Sequence, residues 1–147
     1  MTYSRIKATS SISELILAGK KENFTPDKLH LKQVINSGDD YIIINLYSII
    51  DRYIEELKSL LVSVEMTEEE YDRYRYNPKL LCVELYDNID LTPLILRMNN
   101  MLSVLEFDKK ELKLFKSSII EYLNEIINLE KSRYDKNESN NNKIING

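Results

Sequence analysis

The stretch Tyr76–Met101, YNPKLLCVELYDNIDLTPLILRMNNM, decides how the rest of the chain is read. Asn77 offers a side-chain acceptor just ahead of Pro78, and proline is best tolerated at the first position of a helix. Leu81, Cys82, Leu85 and Tyr86 then line one face at helical spacing, which predicts a helix to about Asp87. The run DNID breaks it. Asp90 is the expected cap of a second helix, since Pro93 still falls in its first turn and Leu94, Ile95 and Met98 recur at helical spacing. Asn99 and Asn100 are expected to form its C-terminal turn, because asparagine tolerates left-handed backbone. The predicted unit is a tight helical hairpin.

On its N-terminal side, LVSVEM (61–66) alternates apolar and polar residues and predicts a short strand. Thr67 and Glu70 have capping-box spacing, so TEEEYDRY is predicted to be one or two helical turns. On its C-terminal side, EFDKKELKLF (106–115) alternates at Leu112 and Leu114 and predicts a second strand. Ser118 and Glu121 repeat the capping box before Ile119, Leu123, Ile126, Ile127 and Tyr134, a stripe that predicts a helix over 117–136. The asparagine-rich segment 137–147 has too little apolar surface to bury and is expected to be a disordered tail.

Further upstream, Ile43, Leu46, Ile50, Tyr53, Ile54, Leu57, Leu60 and Leu61 fall at spacings of three and four. This predicts an amphipathic helix, with Asp51, Arg52, Glu55, Glu56 and Lys58 on its wet side. The β-branched run Ile42–Ile44 leaves a helix-strand segment open over 41–63. Residues 1–40 read as a flexible N-terminal arm. Within it, Ser11 and Glu14 are placed to start a short helix ending near Gly19, and NSGDD (36–40) is a turn.

A chain of 147 residues makes one domain plus tails, and 43% hydrophobic with 30% charged residues is ordinary for a soluble globular protein. A net charge of −4, with no Lys/Arg run longer than a pair, argues against a nucleic-acid binder. No segment approaches the ~18 apolar residues of a membrane span. The first residues lack a signal-peptide pattern, so a cytoplasmic site of synthesis and use or assembly is expected. Cys82 is the single cysteine and excludes an intrachain disulfide; between Leu81 and Val83 it reads as a small buried hydrophobe.

Residues for catalysis are scarce. His30 is the only histidine and has no cysteine or second histidine near it in sequence. Three glycines make no phosphate-cradling loop. The carboxylate pairs Asp39–Asp40 and Glu68–Glu70 sit in polar runs and read as solvated charge. No catalytic residue, cofactor or metal is therefore expected.

Tyrosine is abundant, with ten Tyr and no Trp. Tyr71, Tyr74, Tyr76 and Tyr86 crowd into YDRYRYNPKLLCVELY, and Tyr122 and Tyr134 lie on the last predicted helix. Tyrosine joins a large apolar body to a polar tip, so these six are either a belt for protein partners or a core rim with hydroxyls reaching water. Arg73 and Arg75 interleaved with aromatics can also stack single-stranded nucleic acid, but their acidic neighbours speak against it.

The order Tyr74, Tyr76, Pro78, Leu80–Leu81, then Leu85–Tyr86, a polar turn, an apolar helix and Asn99–Met101 resembles the baseplate wedge subunit 53 family of contractile-tailed bacteriophages. Pro78, Leu81, Leu85, Tyr86, Leu94, Met98, Asn99 and Asn100 carry the packing pattern, and the likeness extends through the final helix, over about residues 64–136. The resemblance implies an α+β fold whose LysM-like strand-helix-helix-strand core spans 64–116, with flanking helices. It also implies a virion protein without turnover. Such a subunit clamps neighbouring wedge proteins around the hub and near the sheath initiator, in several copies per ring, with neither nucleic acid nor membrane as partner. The chain departs from the pattern at Asp87, where members often carry glycine, and at Thr92 and Pro93, where aromatics are common. The same strand-helix-helix-strand order also fits a LysM-type module that binds peptidoglycan or chitin. The missing secretion signal and glycine-rich groove loops count against it.

Overall fold

A computed structural model describes residues 9–21, 29, 32–37 and 40–146, with side chains described at 10–20, 29 and 43–133. His30 and Asp39 lie outside the described residues. In chain order the elements are β1 (Thr9–Ser10), α1 (Ile12–Lys21), β2 (Lys32–Ser37), β3 (Asp40–Asn45), α2 (Leu46–Ile49) and α3 (Ile54–Ser59). They continue with β4 (Val62–Glu65), α4 (Glu68–Tyr74), α5 (Pro78–Tyr86), α6 (Thr92–Met98), β5 (Glu111–Leu114) and α7 (Ile119–Asn146). Short 3₁₀ turns occupy Ile50–Tyr53, Ile89–Leu91 and Val104–Glu106. The architecture is α+β and divides into two units, residues 1–25 with 55–119 and residues 26–54 with 120–147.

In the first unit β4 is the central strand of three. It pairs antiparallel with β5, Val62 opposite Leu114 and Glu65 opposite Glu111, and parallel with β1, Thr9 opposite Ser63. Alternation predicted both long strands, and along β5 Leu112 and Leu114 point into the core while Glu111 and Lys113 face water. The hairpin of α5 and α6 supplies much of that core: Leu81, Cys82, Leu85, Leu94, Ile95 and Met98 are all buried, and Pro78 is too. At roughly 1.5–3 kcal/mol for each large apolar side chain, this face is a main source of stability.

The caps explain where these helices begin and end. Asn77 Oδ1 accepts from Leu80 N at 3.3 Å, with Pro78 at the first helical position. Asp87 closes α5 in left-handed backbone, φ 52°. Asn88, not Asp90, makes the next cap: its Oδ1 accepts from Asp90 N at 2.9 Å and starts the 3₁₀ turn that leads into α6. At the end of α6, Asn100 is left-handed at φ 57°, Met101 N donates to Leu96 O at 2.9 Å and Asn100 N to Arg97 O at 3.1 Å. That is a Schellman closure, the turn expected of Asn99–Asn100. Asn99 does more. Its amide donates to Lys113 O at 2.9 Å and accepts from Lys113 N at 2.8 Å, standing in for a further strand along the edge of β5.

The short helix expected within the N-terminal arm is found as α1, and residues 9–21, expected as part of a flexible arm, are an integral part of this unit. Ile12 and Leu15 are buried, and β1 joins the sheet. α1 ends at Lys21, close to the Gly19 expected near its end. A Cβ at Gly19 would lie 2.8 Å from Ser117 Oγ, so glycine is there for close approach.

Of the two alternatives left open over 41–63, helix or helix-strand segment, the second is found, and its strand lies in the second unit. Residues Asp40–Asn45 form β3, an antiparallel hairpin with β2 that pairs Lys32 with Asn45 and Ser37 with Asp40. The β-branched run Ile42–Ile44 prefers this extended backbone. Asn45 then switches the chain to helix, its Oδ1 accepting from Tyr47 N at 3.0 Å. The helical part is broken into α2 and a 3₁₀ turn in this unit, and α3, which but for Ile54 belongs to the first. Ile120, Leu123, Ile126 and Ile127 form the buried stripe of α7, and Arg52 pairs with Glu130 at 2.8 Å. α7 continues through Asn146, past the expected boundary at 136, so residues 137–146 are helical where a disordered tail was expected. Extending an existing helix adds one hydrogen bond per residue without a new nucleus, which polar residues accept.

Candidate protein interface

The six tyrosines separate by environment. Tyr74 and Tyr86 are 4% and 3% exposed, which removes these two from the expected surface belt. The Tyr86 hydroxyl donates to Phe115 O at 2.7 Å and accepts from Phe115 N at 2.9 Å, so this phenol is a core clasp. Burial pushes its pKa well above the ordinary value, and that of Tyr74 upward as well. Tyr122 is half-buried on α7, and the side chain of Tyr134 lies outside those described.

Tyr71 and Tyr76 remain, and they meet. α4 carries Tyr71, and the turn after it carries Arg75 and Tyr76. The Arg75 guanidinium carbon lies 5.4 Å from the centroid of the Tyr71 ring and 4.7 Å from that of Tyr76, a cation held by two aromatic rings. Asp108 closes the cluster. Its Oδ1 accepts from the Tyr71 hydroxyl and pairs with Arg75 Nε at 2.8 Å, while its Oδ2 accepts from the Tyr76 hydroxyl at 3.0 Å. The bond from Tyr71 holds the Asp108 carboxyl below its ordinary range, aided by Tyr76 and Arg75, and reciprocally raises the Tyr71 phenol. Beside it Lys110 lies 5.5 Å from the Tyr71 ring centroid and pairs with Glu68, and Arg73 grips Glu84 through two bonds of 2.8 Å.

These groups are largely exposed, so water screens the ion pairs and they add little to stability. What they provide is geometry. Tyr76 adopts φ 58°, an unusual conformation for an aromatic residue that costs roughly 1–3 kcal/mol. Its N–H donates to Phe107 O at 2.7 Å, and this bond together with the Arg75 stack holds the ring at the surface. A preset tyrosine and arginine surface is suited to protein contact, because little side-chain freedom remains to be lost on docking. Asp108 was not picked out from the sequence; it lies 32 residues from Tyr76, and its partnership comes only through the fold.

The remaining expected site residues are structural. Pro78, Leu81, Leu85, Leu94 and Met98 are core, and Asn99 and Asn100 form the turn and strand tie described above. Glu70 was read as solvated and is 6% exposed, bound to Thr67 and to the start of α1. Among the described residues, no three His, Cys, Asp or Glu side chains gather as a metal site would require. No helix there is long and apolar enough to cross a membrane. The chain matches no family model, no curated protein and no solved structure.

Proposed function

We propose that this chain is a structural subunit of a contractile-tailed bacteriophage baseplate, a wedge component that clamps neighbouring wedge proteins around the hub and near the sheath initiator. The arrangement of Val62–Leu114 carries the reading. β4 and β5 are adjacent and antiparallel, and α5 and α6 come between them in the chain, the strand-helix-helix-strand order of the LysM-like unit that the resemblance implies. α4 is an addition to that order. Asp87 also supports it: where family members often carry glycine, this residue takes the left-handed backbone that favours glycine. The protein then works by contact in a ring of several copies within the virion, without turnover or cofactor, and its partners are proteins, with no part for nucleic acid or membrane.

Cryo-microscopy of purified contractile tails from a phage encoding this chain tests the reading. The Tyr71–Arg75–Tyr76 surface is expected at the seams between wedges. Purified particles that lack the chain by mass spectrometry would refute it. One observation favours a second reading, a LysM-type glycan-binding module: a recess of about 300 Å³ is lined by Ser63, Asn99, Glu111 and Lys113, polar groups that a sugar could engage. Titration with N-acetylglucosamine oligomers separates the two, and a flat isotherm removes the second.

A further inference from the structure

A sheet edge shows unpaired N–H and C=O groups, a template on which another chain can add a strand. Among the described residues β1 is one edge of the three-stranded sheet and β5 the other. The register says which groups of β5 point outward. Met66 N donates to Lys110 O at 2.8 Å, so Val64 with Leu112 and Val62 with Leu114 are hydrogen-bonded pairs of the same ladder. Glu111 and Lys113 alternate with them, opposite Glu65 and Ser63, and direct their N–H and C=O away from β4. The Asn99 amide fills both groups on Lys113, donating to its O at 2.9 Å and accepting from its N at 2.8 Å. The Tyr86 hydroxyl does the same for Phe115, just past the strand. Those are the bonds a further strand would make, supplied by the last residue of α5 and the residue that ends α6.

We infer that Asn99 closes the β5 edge against pairing with a second copy of this chain, with Tyr86 continuing the closure into the core. Left bare, the edge would be complementary to itself. Two copies meeting antiparallel about Leu112 would set Glu111 of each opposite Lys113 of the other. Both side chains are exposed and of opposite charge, and both residues turn their backbone groups outward. Every backbone bond between such copies would use Lys113 N or O. Asn99 holds those two groups, so a second copy must first displace its amide. Asn99 is half-buried and Lys113 exposed, which leaves this part of the edge within reach; Tyr86 and Phe115 are buried. The opposite edge is blunted in another way: β1 spans only Thr9–Ser10, and very short edge strands make poor templates. Association is thereby left to side-chain surfaces such as the Tyr71–Arg75–Tyr76 stack, whether or not the baseplate reading holds.

Asn99→Ala and Asn99→Ser, made in the full chain, bare the edge without adding large apolar side chains. Sedimentation from micromolar to near-millimolar concentration should show each associating with itself roughly tenfold more tightly than wild type, or more, the gain expected from one net hydrogen bond. Amide exchange at Glu111 and Lys113 should slow as concentration rises. Adding Lys113→Pro removes the edge N–H and should return Asn99→Ala to wild-type behaviour, since an edge strand accepts proline. Asn88→Ala loses a helix cap instead, so it controls for mere destabilisation and should not associate. The inference is overturned if both Asn99 variants fold and sediment as wild type, if association survives Lys113→Pro, or if Asn88→Ala associates equally. Failure of both Asn99 variants to fold would also overturn it, because the fold itself would then require the residue.

Discussion

Glu70→Gln should destabilise the protein by about 2–4 kcal/mol, for reasons that can be followed atom by atom. The carboxylate is 6% exposed and takes four donors: Oε1 accepts from Thr67 N at 3.0 Å and Ile12 N at 3.4 Å, and Oε2 from Ser13 N and Ser13 Oγ, both at 2.7 Å. Glutamine keeps the shape but has one oxygen. Either orientation turns an NH₂ group toward two of these donors, losing two charge-assisted bonds of about 1.5–3 kcal/mol each. Relief from burying a charge offsets part of that loss. The sign with pH also follows. Burial raises the Glu70 pKa, but the bonds from Ser13, Thr67 and Ile12 outweigh it and leave the carboxyl below its ordinary 4.5. A folded pKa below the unfolded one gives stability that is fully present above the unfolded value and is lost as pH falls through the folded value. The gap between wild type and variant should therefore be constant near neutrality and narrow in acid. Urea unfolding at several pH values measures it, and amide exchange should show Ile12 and Ser13 losing protection first, because the glutamate ties α1 to α4. A loss below about 0.5 kcal/mol, well under the net worth of one bond to a charged group, would refute the reasoning.

Tyr86→Phe removes one hydroxyl and leaves both the N–H and C=O of buried Phe115 without it, so a loss of about 2–4 kcal/mol is expected in thermal or urea unfolding. Asn99→Leu severs the tie to Lys113 and should lower stability by about 1–3 kcal/mol, with Lys113 N–H exchanging faster; unchanged stability with lost assembly would show that the residue acts in binding instead. Cys82 is buried with its thiol pushed up to about 11, so iodoacetamide at pH 8 should label it only as fast as the protein unfolds, and quickly in urea.

Local signals carried most of the first unit. The Asn77–Pro78 start, the Thr67–Glu70 box and the alternation at Leu112 and Leu114 each depend on neighbours within a few residues, and each is found where expected. Sequence failed where two periods coincide or where the partner is remote. Ile43, Leu46 and Ile50 fit a helix, yet Ile42–Ile44 also fit a strand, and only pairing with 32–37 decides between them. In the candidate site the aromatic cluster was legible, but not which rings are buried. Tyr74 and Tyr76 are two positions apart, yet one is core and the other is turned outward by its left-handed backbone.

Capping glutamates show how a local motif acquires a distant role. The Thr67–Glu70 spacing predicts a bond back to Thr67 N, and that bond is made. It leaves the second carboxylate oxygen free to accept from Ser13, 57 residues earlier, so one helix start secures another. Ser103–Glu106 has the same spacing and could have been read from the sequence, but its use differs. There the motif stiffens a three-residue turn too short to be stable alone, and it holds Leu102 and Leu105 toward solvent. The motif specifies which backbone amides are satisfied; the surrounding fold specifies whether the satisfied segment is buried as a joint or presented as a surface. The N-terminal segment and the exposed loop 102–105 are thus fixed by the same chemistry. Glu70→Gln should loosen the first and leave the loop unchanged, while Glu106→Gln should speed amide exchange at Leu102 and Ser103 with little change in global stability.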